Sequence, residues 1–338
     1  MIRHWQSYRN QPRGFLSGPS NLNSMKDYFH HASAKSIVDN PKYLEPPKPV
    51  FGTFLFQNEL GILFGDTNSA KSILAVDIGI SYSSHVGFWG ENAMTDSSIN
   101  GKVLYYDLEQ STRQFARRYI KAPFVAGQFE RISFSIMEYG NADVEQLILE
   151  IESRMEVDVP QLIIVDNVQC VLAQNLSITK VKHFMQKLKM LKELNPLLTI
   201  LIVAHTIKRD LKRPLTQNSM AGSKVIANFA DSIFGISDST VSSSTRYIKQ
   251  LKAREVPRME DVAVCNISDE PYLHLEFLDF EEEKDHLEKS NARRTSLLDD
   301  LVRHRIIDLH EEGASIREIS SELGISKSHV HRVINGQV

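Results

Sequence analysis

Between about Val50 and Phe280, short apolar runs alternate with longer stretches in which apolar residues recur at helical spacing. Gly61–Phe64, Val103–Asp107, Leu162–Asp166, Thr199–Ala204 and Ser232–Ile236 are rich in Ile, Leu and Val and too short for helices. Unbroken apolarity of this kind predicts parallel strands buried on both faces. The intervening stretches supply crossovers, with helices predicted over Gln146–Val157 and Thr179–Leu194. Tyr247–Lys252, Val262–Ile267 and Leu273–Phe277 read as late strands, the last two joined as a hairpin through Ser268–Pro271. The fold class is therefore α/β: a doubly wound, mostly parallel sheet with a small all-α unit after it.

That last unit has its own pattern. Leu298, Val302 (or Leu301), Ile306 and Leu309 make one helix stopping at Glu312-Gly313. Ser315-Ile316-Arg317-Glu318 is a capping box, and Ile316, Ile319 and Leu323 line one face of a second helix. Gly324 turns the chain, Ile325 fills the core, and Ser326 caps a third helix with Val330, Val333 and Ile334 inward. This is a helix-turn-helix, similar to those at the C-terminus of DNA resolvases and invertases. Besides Ser326, the third helix offers Lys327, Ser328, His329, His331 and Arg332 and no acid, which suits phosphates and base edges in a major groove. A trihelical protein-interaction unit is the other reading.

The predicted organisation has four parts: an N-terminal arm (1–49), the α/β domain (50–280), a linker (281–294) and the helix-turn-helix (295–338). The arm is rich in Asn, Ser, Pro and His, with a short helix around Ser24–Ser36 and an extended connector at Glu45–Pro49. It is expected to pack on the main domain or on a neighbouring subunit. The charged run Phe280–Lys289 reads as a solvated helix or a linker.

The chemistry centres on Gly65-Asp66-Thr67-Asn68-Ser69-Ala70-Lys71-Ser72, which follows a strand and opens a helix. This is a Walker A phosphate loop: backbone N–H groups and a helix N-terminus face one anion-sized space. Lys71 would reach the β- and γ-phosphates of ATP, and the Ser72 hydroxyl would sit on Mg²⁺. Ala70 stands where glycine normally precedes the lysine. Asp166, at the tip of a buried strand, is placed as a Walker B residue that would hold Mg²⁺ beside Ser72. Glu109 ends another strand, where a carboxylate can orient water; the alternative is a helix N-cap region over Asp107–Ser111. His205 closes a strand as a γ-phosphate sensor or as hydrogen-bonded structure. Lys208, Arg209, Lys212 and Arg213 concentrate positive charge in the next loop, for a nucleic-acid backbone or for solvent alone. Lys249, Lys252 and Arg254 lie in or beyond a late strand, as a phosphate-reaching finger or as surface charge.

Net charge is −3, with 24% charged and 42% hydrophobic residues, so any nucleic-acid surface must be local. The two cysteines, Cys170 and Cys265, lie in or near apolar runs without metal spacing and read as buried free thiols of a reducing compartment. The polar N-terminus lacks a signal-peptide core and no apolar run approaches membrane-spanning length, so a cytoplasmic protein without membrane contact is expected.

Gly65–Ser72, Asp107–Ser111, Val165–Asn167, Ala204–Lys208, Ala221–Ser223 and Lys252–Arg254 occur in the order seen in RecA-like ATPases. The chain most resembles the branch containing plasmid RepA-type and DnaB-type hexameric helicases, over about residues 50–280. The resemblance implies a RecA-like core, a hexameric ring or other homo-oligomer, and nucleotide bound between subunits. It also implies Glu109 as the water-activating base, His205 as the sensor, Lys252 or Arg254 acting in trans, and a loop after His205 meeting single-stranded DNA. The expected function is a DNA-binding ATPase using ATP and Mg²⁺, a replicative helicase or initiation ATPase of a plasmid or mobile element. The alternatives are a nucleotide-switched DNA-binding regulator and a protein-remodelling ATPase.

Overall fold

The computed structural model describes residues 32–84, 89, 101–134, 144–172, 178–206, 210–220, 223–288, 302–325 and 327–334. The chain divides into two compact units, 1–46 and 47–338. In the first, the described part is a short helix, α1 (Ala34–Val38), and a single 3-10 turn at Pro41–Tyr43 whose cap, Asn40, accepts from the Lys42 N–H. Most of the helix expected over Ser24–Ser36 lies outside the described residues.

The second unit opens with a two-stranded hairpin, β1 (Pro49–Phe51) and β2 (Leu55–Phe56). A nine-stranded sheet follows, built from β3 (Leu60–Gly65), β4 (Val103–Asp107), β5 (Phe129–Ser133), β6 (Leu162–Asp166), β7 (Thr199–His205), β8 (Ser232–Asp238), β9 (Thr245–Lys252), β10 (Val262–Ser268) and β11 (His274–Glu281). The spatial order is β11-β10-β9-β8-β3-β7-β6-β4-β5. Every pairing from β8 through β5 is parallel, and the β8–β9–β10–β11 side is antiparallel. The helices are α2 (Lys71–Ser84), α3 (Thr112–Arg118), α4 (Val144–Val157), the single turn α5 (Gln169–Leu172), α6 (Ile178–Leu194) and α7 (Ser223–Phe229).

Strand alternation sorts the core into two layers. Leu63, Val103, Tyr105, Leu162, Ile164, Leu201 and Val203 face one way and pack with Leu74, Ala75 and Ile78 of α2. Ile62, Phe64, Leu104, Ile163, Val165, Ile200 and Ile202 face the other and pack with Leu147, Ile151, Phe184 and Leu188 of α4 and α6. Because both faces are covered, the parallel strands carry no polar alternation, and that made them legible. Strand β5 was not expected: Phe-Glu-Arg-Ile-Ser is half polar, as an edge strand tolerates.

Two expectations change. The stretch 281–288, predicted as the start of a linker, packs on the sheet. Glu283 accepts from the Leu215 N–H at 2.6 Å and pairs with Lys249, His286 is 1% exposed against Ser239 at 2.8 Å, and Leu287 packs on Tyr247, Val262 and Val264. A charged run is thus held by specific partners that its composition does not disclose. Cys265 is buried as expected, but Cys170 is exposed, since it lies in the single turn α5 beyond the strand tip.

The C-terminal unit forms a helix at 302–311, α8, then α9 (Ile316–Leu323) and α10 (Lys327–Ile334). Ser315 and Glu318 make the reciprocal capping box, and Gly324 ends α9 at φ 64°, where an L side chain would be strained. Ile306, Leu309, Ile319, Val330 and Val333 form the core, with Ile325 packed against it. Leu298 and Leu301 lie outside the described residues.

Candidate functional site

Parallel register brings the chemistry to one edge of the sheet. Gly65 is opposite His205 across β3 and β7, and Asp107 is opposite Asp166 across β4 and β6. All four sit at the carboxyl ends of their strands, where open α/β sheets bind ligands.

The phosphate loop is closed on itself. The Asp66 carbonyl accepts from Lys71 Nζ at 2.6 Å, Ser69 Oγ at 2.8 Å and the Ser69 N–H at 3.2 Å. Thr206 Oγ1 donates to the Asp66 carboxylate, and the Thr206 N–H to the Gly65 carbonyl at 3.1 Å, tying the loop to the end of β7. A Cβ on Gly65 would collide with the Ile236 carbonyl, so only glycine fits beside β8. Lys71 is 5% exposed, and burial lowers its pKa against the opposing carboxylates of Asp166, Glu109 and Asp66.

Asn68 and Ala70 both have left-handed backbones, at φ 65° and 75°. Asparagine tolerates that region; alanine carries a cost of about 1–2 kcal/mol. Ala70→Gly should therefore raise stability by up to about 1 kcal/mol after the glycine chain-entropy penalty, read by denaturant unfolding without nucleotide. A destabilised variant would mean that the buried Ala70 methyl contributes more packing than the backbone costs.

Asp166 is buried beneath the loop. Tyr105 Oη donates to its Oδ2 at 2.7 Å, while Oδ1, equally enclosed, has no hydrogen-bond partner among the described residues. Burial pushes its pKa up to about 6, against the nearby Ser72 and Tyr105 hydroxyls. A buried carboxylate oxygen without a partner, beside a hydroxyl, fits a hard cation with oxygen ligands such as Mg²⁺.

Asp107 acts next to it as a structural acid. Its Oδ1 accepts from the Gln110 N–H at 2.8 Å and the Glu109 N–H at 3.3 Å, and its Oδ2 pairs with Arg131 Nε at 2.8 Å. Arg131 also donates to the Gln110 carbonyl at 2.6 Å and lies 5.0 Å from the Phe115 ring centre. Ser111 caps α3 with a capping box, and no acid lies in the first turn. That cap also leaves Glu109 exposed and forward, its Oε2 accepting from Asn167 Nδ2 at 2.8 Å and its Oε1 3.9 Å from His205 Nε2.

His205 Nε2 lies 2.8 Å from the same Asn167 nitrogen. Burial lowers its pKa, as does the Lys71 cation. Glu109, Asn167, His205, Lys71, Ser72 and Asp166 thus line one edge. The sequence reading missed Asn167, Tyr105, Thr206 and Arg131 as participants. Asn167 and Thr206 directly follow residues already singled out, which was the available signal. Their partners, though, lie 58, 38 and 140 positions away, beyond any local pattern.

Lys252 and Arg254 lie at the other edge of the sheet from this phosphate loop, since Lys252 is opposite Ile233 at the start of β8. Lys252 Nζ donates to the Ala227 and Ala230 carbonyls at 2.9 and 2.6 Å, closing the end of α7, and burial and the Arg254 charge lower its pKa. Arg254 pairs with Asp231 at 2.7 Å, and Lys192 shares that carboxylate at 2.8 Å. Neither residue contributes to the site within its own chain. Of the basic loop, Lys208 and Arg209 lie outside the described residues; Lys212 and Arg213 are exposed, with Arg213 3.8 Å from Asp210. On α10, Lys327 and His331 are exposed, whereas Ser326 and the side chains of Ser328, His329 and Arg332 lie outside the described residues.

No helix among the described residues is long and apolar enough to cross a membrane. A search of curated proteins finds no match to the chain. Among solved structures, a KaiC-like protein from the hyperthermophilic archaeon Pyrococcus horikoshii is similar over 68% of this chain and 99% of its own, at 13% identity and a TM-score of 0.47. A family model described as a homeodomain-like domain matches residues 298–337, which contain the helix-turn-helix. A second family model, for an AAA domain, matches residues 31–210, just over half of the chain and all of the phosphate loop, Glu109, Asp166 and His205. By that match the chain belongs to the AAA domain family.

Proposed function

We propose that this protein is a DNA-dependent ATPase, similar to the RepA-type and DnaB-type helicases, that works in replication of a plasmid or other mobile element. The observation that carries the ATPase reading is the convergence of Lys71, Ser72, Asp166 and Glu109 on one sheet edge beneath a closed phosphate loop. Lys71 must leave the Asp66 carbonyl to reach a phosphate, so the loop opens on binding. Ser72 and Asp166 would hold Mg²⁺, which when bound neutralises charge on the β- and γ-phosphates. Glu109 holds and orients the water that attacks the γ-phosphate in line. His205, half enclosed behind it, meets the γ-phosphate and passes its loss to the basic loop at Lys208, Arg209, Lys212 and Arg213, which follows single-stranded DNA. Lys252 or Arg254 would serve a neighbour's nucleotide in a homo-oligomeric, hexameric ring, consistent with their distance from their own phosphate loop.

Steady-state ATP hydrolysis, with and without single-stranded DNA, tests this. Stimulation by DNA that disappears in Lys71→Ala is expected; turnover indifferent to DNA would remove the helicase reading. The helix-turn-helix is read as the duplex-binding part, supported by its acid-free third helix. Combined Lys327→Ala and Arg332→Ala should weaken duplex affinity at least tenfold and lower its salt dependence, measured by fluorescence anisotropy across a salt series. Unchanged binding would instead favour a C-terminal unit that grips protein.

A second reading is a DNA-binding regulator in which nucleotide switches assembly with slow turnover. Ala70, whose methyl stands where glycine lets the backbone approach a phosphate, and Lys71, whose bond to the Asp66 carbonyl holds the loop closed without nucleotide, favour it.

A further inference from the structure

Asn167 stands between Glu109 and His205, and its chemistry constrains both. An ionised carboxylate only accepts hydrogen bonds, so the Asn167 atom 2.8 Å from Glu109 Oε2 must be the amide nitrogen. That nitrogen also lies 2.8 Å from His205 Nε2, and an amide nitrogen only donates. His205 Nε2 therefore carries no proton. A ring with a bare Nε2 is neutral, so its single proton is on Nδ1; burial and the Lys71 charge act in the same direction. His205 Nδ1 is enclosed and has no hydrogen-bond partner among the described residues, and the same holds for Asn167 Oδ1.

We infer that Asn167 is a positioning residue that sets the tautomer of His205 from the charge of Glu109, leaving a buried Nδ1–H donor for an anionic oxygen of the bound nucleotide. The carboxylate orients the amide, the amide orients the ring, and the ring presents a donor where a neutral imidazole would otherwise be free to present an acceptor. The two amide hydrogens are both used, so Glu109 and His205 cannot turn independently of one another. Asn167 itself is 2% exposed and follows Asp166 at the tip of β6, which fixes its backbone. The inference rests on the ATPase reading only for the identity of the anion; the tautomer follows from the hydrogen bonds alone.

The test is ¹⁵N-histidine NMR of the full-length protein, with the His205 signals identified by their loss in His205→Gln. Wild type should show a protonated Nδ1 and bare Nε2 at neutral pH without nucleotide. Asn167→Asp is isosteric but offers an acceptor, so it should invert the tautomer to protonated Nε2. It should also cut kcat at least tenfold while changing the KM for ATP less than threefold. Asn167→Ala should remove the preference, and the thermal melt of each variant reports folding separately. A wild-type ring protonated at Nε2, or an Asn167→Asp ring that keeps its Nδ1 proton, overturns the inference. An inactive wild type showing the expected tautomer would sink the ATPase reading and leave the Asn167 assignment standing.

Discussion

Replacing Glu109 by glutamine is expected to cut kcat for ATP hydrolysis by about 10²-fold or more while leaving nucleotide affinity within about threefold. Glutamine keeps the shape of the side chain and a carbonyl oxygen that still accepts from Asn167 at the 2.8 Å contact. It lacks the negative charge that the proposed role of orienting and deprotonating water requires. In the proposed reading, ground-state binding depends on Lys71, Ser72 and the loop N–H groups, none of which the change touches. Single-turnover hydrolysis separates the two steps. A variant with wild-type kcat would return Glu109 to its bland role beside the N-cap of α3. The same assay carries a pH signature from Asp166. Burial pushes its carboxyl up to about 6, so if Asp166 holds Mg²⁺ it must first lose a proton below that pH. Apparent Mg²⁺ affinity should fall about tenfold for each unit below pH 6 and level off above it.

Arg131→Met should destabilise the protein by about 2–4 kcal/mol, because the Arg131 side chain is only 12% exposed and its partner is buried. Asp107 is 1% exposed, and its carboxylate is balanced by one guanidinium and two backbone N–H groups. Removing the cation leaves a buried charge held by the N–H groups alone, which reduces the cost below that of a wholly unpaired ion. Methionine preserves packing on Phe115, so the loss isolates charge from volume. Adding Asp107→Asn should restore at least half of the stability, because it removes the stranded charge; urea unfolding of wild type and both variants measures this. A single variant within about 1 kcal/mol of wild type would show that the pair contributes little. Since Asp107 also holds the Glu109 and Gln110 N–H groups, Arg131→Met should lower turnover as well.

By itself, the sequence determined what local physics can encode. Gly65–Ser72 reads as a phosphate loop because glycine, small polar residues and the start of a helix follow one another directly. The buried strands were visible as unbroken apolar runs, and the helix-turn-helix as a capping box, a left-handed glycine and apolar spacing within 40 residues. The tertiary structure alone decided what depends on register. It set Asp107 beside Asp166 and Gly65 beside His205, and it joined Glu109, Asn167 and His205 through one amide. It moved Lys252 and Arg254 to the opposite edge through the antiparallel turn of β9, and it held 281–288 against the sheet through Glu283 and His286. In each case the partners come from strands and loops far apart in the chain. A short strand's residues state which faces are buried, not which neighbour it will pair with or in which register.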